Sequence, residues 1–249
     1  MTNKVTAIIQ ARMGSSRLPG KVLLPLGREE KPVLQHLIER VKRAKTVDDI
    51  LVVTTNAEED NIIEKLALSL KCKCWRGKYK YVLDNILDAC EYYDTDIIVD
   101  ITADCPLIDP RHIDDMVKTL KRYQSDVVTY VSNVVSRTWP RGFDLQVYRA
   151  ITLRLMAQII SVDAHRNHSG WNIMMHETLQ RVCNVVSNYY HPDWRLCIDE
   201  EEDYVLMNFI FHHFNNNKFS AEEVIEYLEK NPKLLDINKD VKQKEVGRG

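Results

Sequence analysis

Along its first half the chain alternates short apolar runs with longer stretches whose apolar residues return every three or four positions. The short runs read as strands at Val5–Ile9, Ile50–Thr54, Cys72–Trp75, Asp96–Ile101 and Asp126–Tyr130, and the longer stretches predict helices over Val33–Ala44, Glu58–Leu70, Tyr79–Tyr92 and Pro110–Tyr123. Val33, Leu34, Leu37, Ile38 and Val41 share one helical stripe, and Ile62, Ile63, Leu66, Ala67 and Leu70 share another. Both stripes read as core. Asp109 before Pro110 has the form of a helix start, with the carboxylate as cap and proline in the first turn. Strands that alternate with helices predict an α/β fold, a mostly parallel sheet with helices on both faces. The second half is less regular. Phe143–Tyr148 and Arg181–Val186 read as strands, while Ala150–Ile160, Glu200–Phe214 and Ala221–Lys230 read as helices.

With no repeat, low-complexity segment or Gly/Ser-rich linker, residues 1–230 read as one domain, and 231–249 read as a C-terminal tail. That tail carries Lys239, Asp240, Lys242, Lys244 and Glu245 with few apolar anchors, so its end is expected to fray. Across 249 residues, 34 Lys and Arg against 36 Asp and Glu leave a net charge of −2, which calls for neither a nucleic-acid nor an anionic-membrane partner. Any anion site must be local. The first apolar run is too short for a signal peptide, and no later run approaches a membrane span, so a soluble, cytoplasmic protein is expected. The six cysteines lack paired zinc spacing and read as reduced, mostly buried thiols. Cys105 sits beside an aspartate, and with no basic partner nearby in sequence it reads as a packing residue rather than a nucleophile.

The first strand runs into Gln10-Ala11-Arg12-Met13-Gly14-Ser15-Ser16-Arg17-Leu18-Pro19-Gly20-Lys21. A turn at Gly14 would present backbone N–H groups to anionic oxygens, and Arg12, Arg17 and Lys21 supply the charge a triphosphate needs. A P-loop is excluded: five residues separate Gly14 from Gly20, and Val22 stands where a hydroxyl would follow Lys21. The dinucleotide fingerprint fails for want of a third glycine at the right offset. A solvated basic loop is the plain alternative, but the position just beyond the first strand is where open sheets bind ligands. Asp104, just beyond the strand ending at Ile101, belongs to the same rim and could hold Mg²⁺ on nucleotide phosphates. Asp199 opens the run Asp199-Glu200-Glu201-Glu202-Asp203, most of which reads as the acidic first turn of a helix. At the junction itself, Asp199 could share one magnesium with Asp104.

These motifs, in this order, resemble the spore-coat polysaccharide cytidylyltransferase-like family, related to the CMP-Kdo and CMP-N-acylneuraminate synthetases. The family's Q-A-R-x-x-S-x-R-L-P-G-K is matched by Gln10 to Lys21, its R-G-x-x-x-x-V-L by Arg76-Gly77 and Val82-Leu83, and its D-C-P-L-I-D-P by Asp104 to Pro110. Its G-x-D-x-x-V-x is met by Gly142 to Tyr148, and its D-x-E-x-D by Asp199, Glu201 and Asp203, so the resemblance spans roughly residues 5–210. It implies a Rossmann-like, glycosyltransferase-A-like nucleotidyltransferase sheet, with an insertion at about 133–180 that arms the neighbouring subunit of a homodimer. The implied reaction is attack by a sugar hydroxyl on the α-phosphorus of CTP, giving a CMP-sugar and pyrophosphate for surface-glycan synthesis. By the same resemblance Arg12, Lys21 and Asp104 are catalytic. Gln10, Ala11, Arg12, Gly14, Ser15, Arg17, Lys21, Arg76, Gly77 and Thr102 bind the nucleotide, Asp104 and Asp199 hold Mg²⁺, and Asp144 faces the sugar.

Two departures bear on specificity. Asp100 and Ala103 stand where many relatives carry a cation and a glycine before the metal aspartate, and His165-Arg166-Asn167-His168-Ser169-Gly170-Trp171 replaces E-H-V-T-P-Y. Arg137, Arg141 and Arg166 are candidates for pairing with an acidic acceptor, as is His168; a solvated loop serves Arg137 equally well. Trp139 and Trp171 either wall the pocket or pack. His165 and His168 have a zinc pair's spacing but no evident third ligand, and Gln180 breaks a zincin motif begun at His176-Glu177. The competing readings are a sensor or scaffold that binds nucleotide without consuming it, a transferase using another NTP or a non-sugar acceptor, and a nucleotide-sugar-dependent glycosyltransferase. The last normally shows a D-x-D pair, which is missing at the rim position.

Overall fold

The computed structural model describes residues 3–123, 129–160, 166, 170, 173–174 and 181–243. Its strands are β1 (Val5–Gln10), a two-residue hairpin β2 (Pro25–Leu26) and β3 (Lys31–Pro32), β4 (Asp49–Thr55), β5 (Lys73–Gly77), β6 (Ile97–Thr102), β7 (Tyr130–Ser132), β8 (Gln146–Arg149) and β9 (Val182–Asn184). Seven of them form one sheet in the order β5-β4-β1-β6-β8-β7-β9. From β5 to β6 neighbours run parallel, β8 is antiparallel to both β6 and β7, and β9 is parallel to β7. The helices are α1 (Val33–Val41), α2 (Asn61–Ser69), α3 (Val82–Tyr92), α4 (Pro110–Arg122), α5 (Ala150–Ile159), α6 (Glu201–Phe214) and α7 (Ala221–Lys230).

Alternation along the central strands builds two cores. Val5, Ala7 and Ile9 of β1, with Ile97, Val99 and Ile101 of β6, pack on Leu34, Leu37 and Ile38 of α1 and on Ile113, Met116 and Val117 of α4. Ile8 and Ile98 face the other way, onto Leu83, Ile86 and Ala89 of α3 and Leu153 and Met156 of α5. A third apolar cluster joins α6 and α7 to the hairpin through Leu26, Leu206, Ile210, Val224 and Ile225. The expected mostly parallel sheet, covered on both faces, is therefore present. Among the described residues no helix is long and apolar enough to cross a membrane.

Element ends differ from the periodicity for local reasons. α3 starts at Val82 rather than Tyr79 because the Asn85 side chain accepts from Tyr79 N–H and donates to Tyr79 C=O, both at 2.9 Å, holding the intervening residues as a loop. α1 ends at Val41, where Arg43 and Ala44 donate to Arg40 and Val41 in the tighter three-residue pattern. The strand expected over Asp126–Tyr130 forms at Tyr130–Ser132, with residues 124–128 outside the described residues. Asp109 caps α4 as expected, accepting from Arg111 N–H at 2.9 Å. The segment after Asn231, expected as a poorly anchored tail, is docked as far as Gln243. Leu234, Leu235 and Ile237 pack on the α6–α7 cluster, and Asn238 is buried; residues 244–249 lie outside the described set.

Candidate functional site

β1 and β6 are parallel neighbours paired to their last residues, Gln10 with Thr102. The loops that follow therefore leave the same rim side by side, in the crevice where the connections diverge. The first loop is closed on itself: Met13 C=O accepts from Ser15 N–H at 2.8 Å across Gly14 and from Gly20 N–H at 3.0 Å. Met13 N–H is tied to Asp60 Oδ1 at 2.7 Å. Gly20, at φ 71°, is the position whose backbone demands glycine. The backbone N–H groups of Arg12, Gly14, Ser16 and Arg17 make no hydrogen bond among the described residues, so the cradle presents free donors. Arg12 is exposed there.

Lys21 draws the distant acids together. Its Nζ donates to Asp104 Oδ2 at 2.7 Å, Asp199 Oδ1 at 2.7 Å and the Ile198 carbonyl at 2.8 Å, which uses all three ammonium protons. Ile198 N–H donates to the Asp104 carbonyl at 2.9 Å, so the two acidic segments also meet through their backbones. Arg17 Nη2 reaches Asp199 Oδ1 at 2.9 Å. Burial opposes ionisation of Asp199, but Lys21, Arg17 and Arg195 outweigh it and hold the carboxyl at about 2. Burial likewise works against the Lys21 ammonium, and Asp104 and Asp199 reverse that and raise it. Two carboxylates already turned on one cation are the hard-oxygen donor pair that magnesium uses when phosphates complete its shell. Among the described residues no group of three or more His, Cys, Asp or Glu is arranged for a metal.

A cleft of about 130 Å³ opens beside these groups, lined by Thr102, Asp104, Cys105, Arg141, Asp144, Cys197, Asp199 and Gln243. Gly142 makes this wall possible: at φ 104° it lies so close to the Leu196 carbonyl that a Cβ would collide with it. Arg141 N–H donates to Trp194 C=O and Leu196 N–H to Arg141 C=O, pinning the Arg141–Asp144 turn against the segment that leads to Asp199. The Arg141 guanidinium makes no ion pair or hydrogen bond among the described residues. Burial and the neighbouring Arg137 lower its pKa. Asp144 does line the cleft, but Arg137 grips it through two bonds of 2.5 and 2.9 Å.

Other expected residues have different employment. Arg76 donates to Thr55 and Ala57 carbonyls, Asn61 and Glu64, so its guanidinium ties the β4–α2 loop rather than reaching a base. Gly77 is glycine because Asn85 fills the place of a Cβ. Gln10 Nε2 donates to Asp100 Oδ1 at 2.5 Å and Ala11 N–H to Val53 C=O at 3.0 Å. Asp100, one of the two departures, is buried and also accepts from Tyr148 Oη at 2.7 Å; Ala103 is core. Arg166 pairs with Asp84 of α3 and donates to Ala157 C=O, so it is an anchor on helices, not a cleft residue. His165, His168 and Trp171, with the His176–Gln180 stretch, lie outside the described residues. Trp139 is packed, beside Phe143 and His112. Burial, reinforced by Asp104, pushes the Cys105 and Cys197 thiols well up, which suits packing and not nucleophilic attack.

Sequence reasoning missed Arg195. Its guanidinium holds Asp199 Oδ2 at 2.8 Å and both oxygens of Asp203, and also donates to Gln243. The only sequence signal was a basic residue four positions before an acidic run. Gln243, within the supposed tail, had none.

The cytidylyltransferase family model matches residues 6–145. Over 243 residues the chain is 35% identical to an uncharacterized protein of Methanocaldococcus jannaschii, covering 97% of each. It is 32% identical to the spore coat polysaccharide biosynthesis protein SpsF of Bacillus subtilis, covering 92% of this chain and 96% of that one. Among solved structures, a cytidylyltransferase from Leptospira borgpetersenii superposes with a TM-score of 0.89 at 30% identity, covering 97% of this chain and 99% of the other.

Proposed function

Because the chain belongs to the cytidylyltransferase family, we propose that it transfers CMP from CTP to a hydroxyl of a sugar or sugar acid, releasing pyrophosphate, in surface-polysaccharide synthesis. The observation that carries this reading at residue level is the convergence of Lys21, Asp104 and Asp199, from three separate stretches, within one ammonium's reach. The acceptor oxygen bonds to the α-phosphorus, the bond to the bridging oxygen breaks, and the hydroxyl proton passes to solvent. Arg12, Arg17 and the free loop N–H groups hold the triphosphate, and Lys21, its protons on Asp104, Asp199 and the Ile198 carbonyl, adds its positive charge beside them. They neutralise the charge that builds on the departing pyrophosphate, so positioning and electrostatics do most of the work. Asp104 and Asp199 would hold a magnesium ion, which neutralises phosphate charge and orients the leaving group. Arg141, with its guanidinium uncommitted in the cleft wall, would take the acceptor's carboxylate.

The SpsF relative's name supports a polysaccharide role. All six cysteines are free thiols, which supports a cytoplasmic setting. Ile151, Leu155 and Ile159 are exposed four residues apart along α5, which supports a homodimer built on the 133–180 insertion. Incubation with each NTP, Mg²⁺ and a panel of sugars and sugar acids, followed by pyrophosphate release, tests the reading. CTP should be consumed in preference. Binding of CTP with no turnover on any acceptor would favour the sensor instead, and preferred consumption of another NTP would reassign the nucleotide.

A further inference from the structure

We propose that Arg195 is a positioning residue for Asp199, and that the segment Asn238–Gln243, acting through Arg195, belongs to the catalytic site. The inference rests on reading Asp104 and Asp199 as acids that share magnesium with CTP. The two oxygens of Asp199 have different partners: Oδ2 belongs to Arg195 at 2.8 Å, while Oδ1 meets Lys21 at 2.7 Å and Arg17 at 2.9 Å. Asp203 Oδ2 accepts the backbone N–H groups of both Asp199 and Glu200 at 3.0 Å, which fixes the main chain beneath that carboxylate. Side chain and backbone are therefore both pinned from one side, with Oδ1 left toward the phosphate loop. Groups that orient a metal-binding carboxylate without touching the metal commonly change metal affinity about 10- to 100-fold when removed.

Arg195 is itself over-determined. It is 7% exposed, and its Nε and Nη2 take Asp203 at 2.9 to 3.1 Å. Asn238 Nδ2 donates to the Arg195 carbonyl at 2.9 Å and to Asp203 Oδ1 at 2.8 Å, and Gln243 Oε1 accepts from Arg195 Nη1. The guanidinium meets Asp199, Asp203 and Gln243 through donors spread over a rigid plane, a spacing that a lysine's single nitrogen does not reproduce. Gln243 also lines the cleft with Arg141 and Asp144, so one guanidinium connects the acceptor wall to the metal carboxylate. A knot built only for stability has no need of a member in that wall.

The test measures Mn²⁺ binding by electron paramagnetic resonance on the full chain, with and without a non-hydrolysable α,β-methylene CTP analogue, alongside melting curves. In the presence of the analogue, Arg195→Lys should weaken Mn²⁺ binding by about tenfold or more, and Asn238→Ala and Gln243→Ala by about three- to tenfold. Analogue affinity measured in EDTA should stay at the wild-type value. Gln243→Ala removes only the amide of an exposed residue and serves if the other variants do not fold. Variants that melt earlier yet bind Mn²⁺ like wild type would reduce Arg195 to a structural role and overturn the proposal. If wild type itself takes no Mn²⁺ with the analogue, the magnesium reading fails and this inference falls with it; if wild type binds and all variants match it, the inference alone fails.

Discussion

Two buried arginines of the molecule do different things. Arg40 of α1 is fully buried and donates to the carbonyls of Ile108, Leu107, Phe219 and Asn217, with its guanidinium 4.7 Å from the Phe219 ring. Burial, with Arg43 nearby, lowers its pKa to about 9. Arg195 is almost as buried, but Asp203 and Asp199 overcome the burial and raise its pKa. Carbonyl partners make Arg40 a staple between α1, the loop after β6 and the start of α7. Carboxylate partners make Arg195 part of a charge network whose free end faces the cleft. Depth of burial is the same kind of fact in both; the chemistry of the acceptors separates fold from function.

The sharpest way to break that contrast is to change the cleft side. Lys21→Ala and Asp104→Asn should each cut turnover by at least about a hundredfold in a pyrophosphate-release assay, the scale of lost transition-state charge stabilisation. Near-normal rates would remove both from the mechanism. On the other side, Arg40→Met should lower stability by about 3 kcal/mol and the melting point by roughly 10 °C, because buried carbonyls lose a charged donor. Its folded fraction should turn over at the wild-type rate. A hundredfold loss there would erase the distinction.

Smaller effects sharpen the same line. Arg141→Ala should raise the acceptor KM by about tenfold, the worth of one charge-assisted hydrogen bond, with the CTP KM unchanged. A shifted CTP KM instead would move Arg141 to the nucleotide side. Asp199 supplies the pH signature. Its carboxyl is held at about 2, below the ordinary 3.8, so the stability it contributes is complete above about pH 4 and is lost as pH falls toward 2. The difference in melting temperature between wild type and Asp199→Asn should therefore be flat from neutral pH to about 4 and then shrink. A difference already shrinking between pH 7 and 5 would contradict the ion-pair assignment.

The central strands and the helical stripes were legible in the sequence because they depend on local periodicity, and the two rim loops were legible because each directly follows a strand. Lys21, Asp104 and Asp199 are brought together by this topology. What escaped depends on pairings that periodicity does not encode. Arg76 carries a family motif, yet its guanidinium is spent on the β4–α2 loop, and the short hairpin at Pro25–Leu26 and Lys31–Pro32 has too few residues to alternate. Asp203 looked like one more acid in a helix's first turn. It does complete the capping box of α6 with Glu200, but it also anchors Arg195. Asn238 and Gln243 sit in a charged segment whose anchors are hydrogen bonds to a buried arginine, and composition counts only apolar ones.

A structure of the protein with the α,β-methylene CTP analogue and Mn²⁺ tests the central claim most directly. An anomalous peak coordinated by Asp104 and Asp199 is expected, with the triphosphate lying along Arg12 to Lys21. Manganese bound away from those two acids, or phosphates seated off that loop, would contradict it.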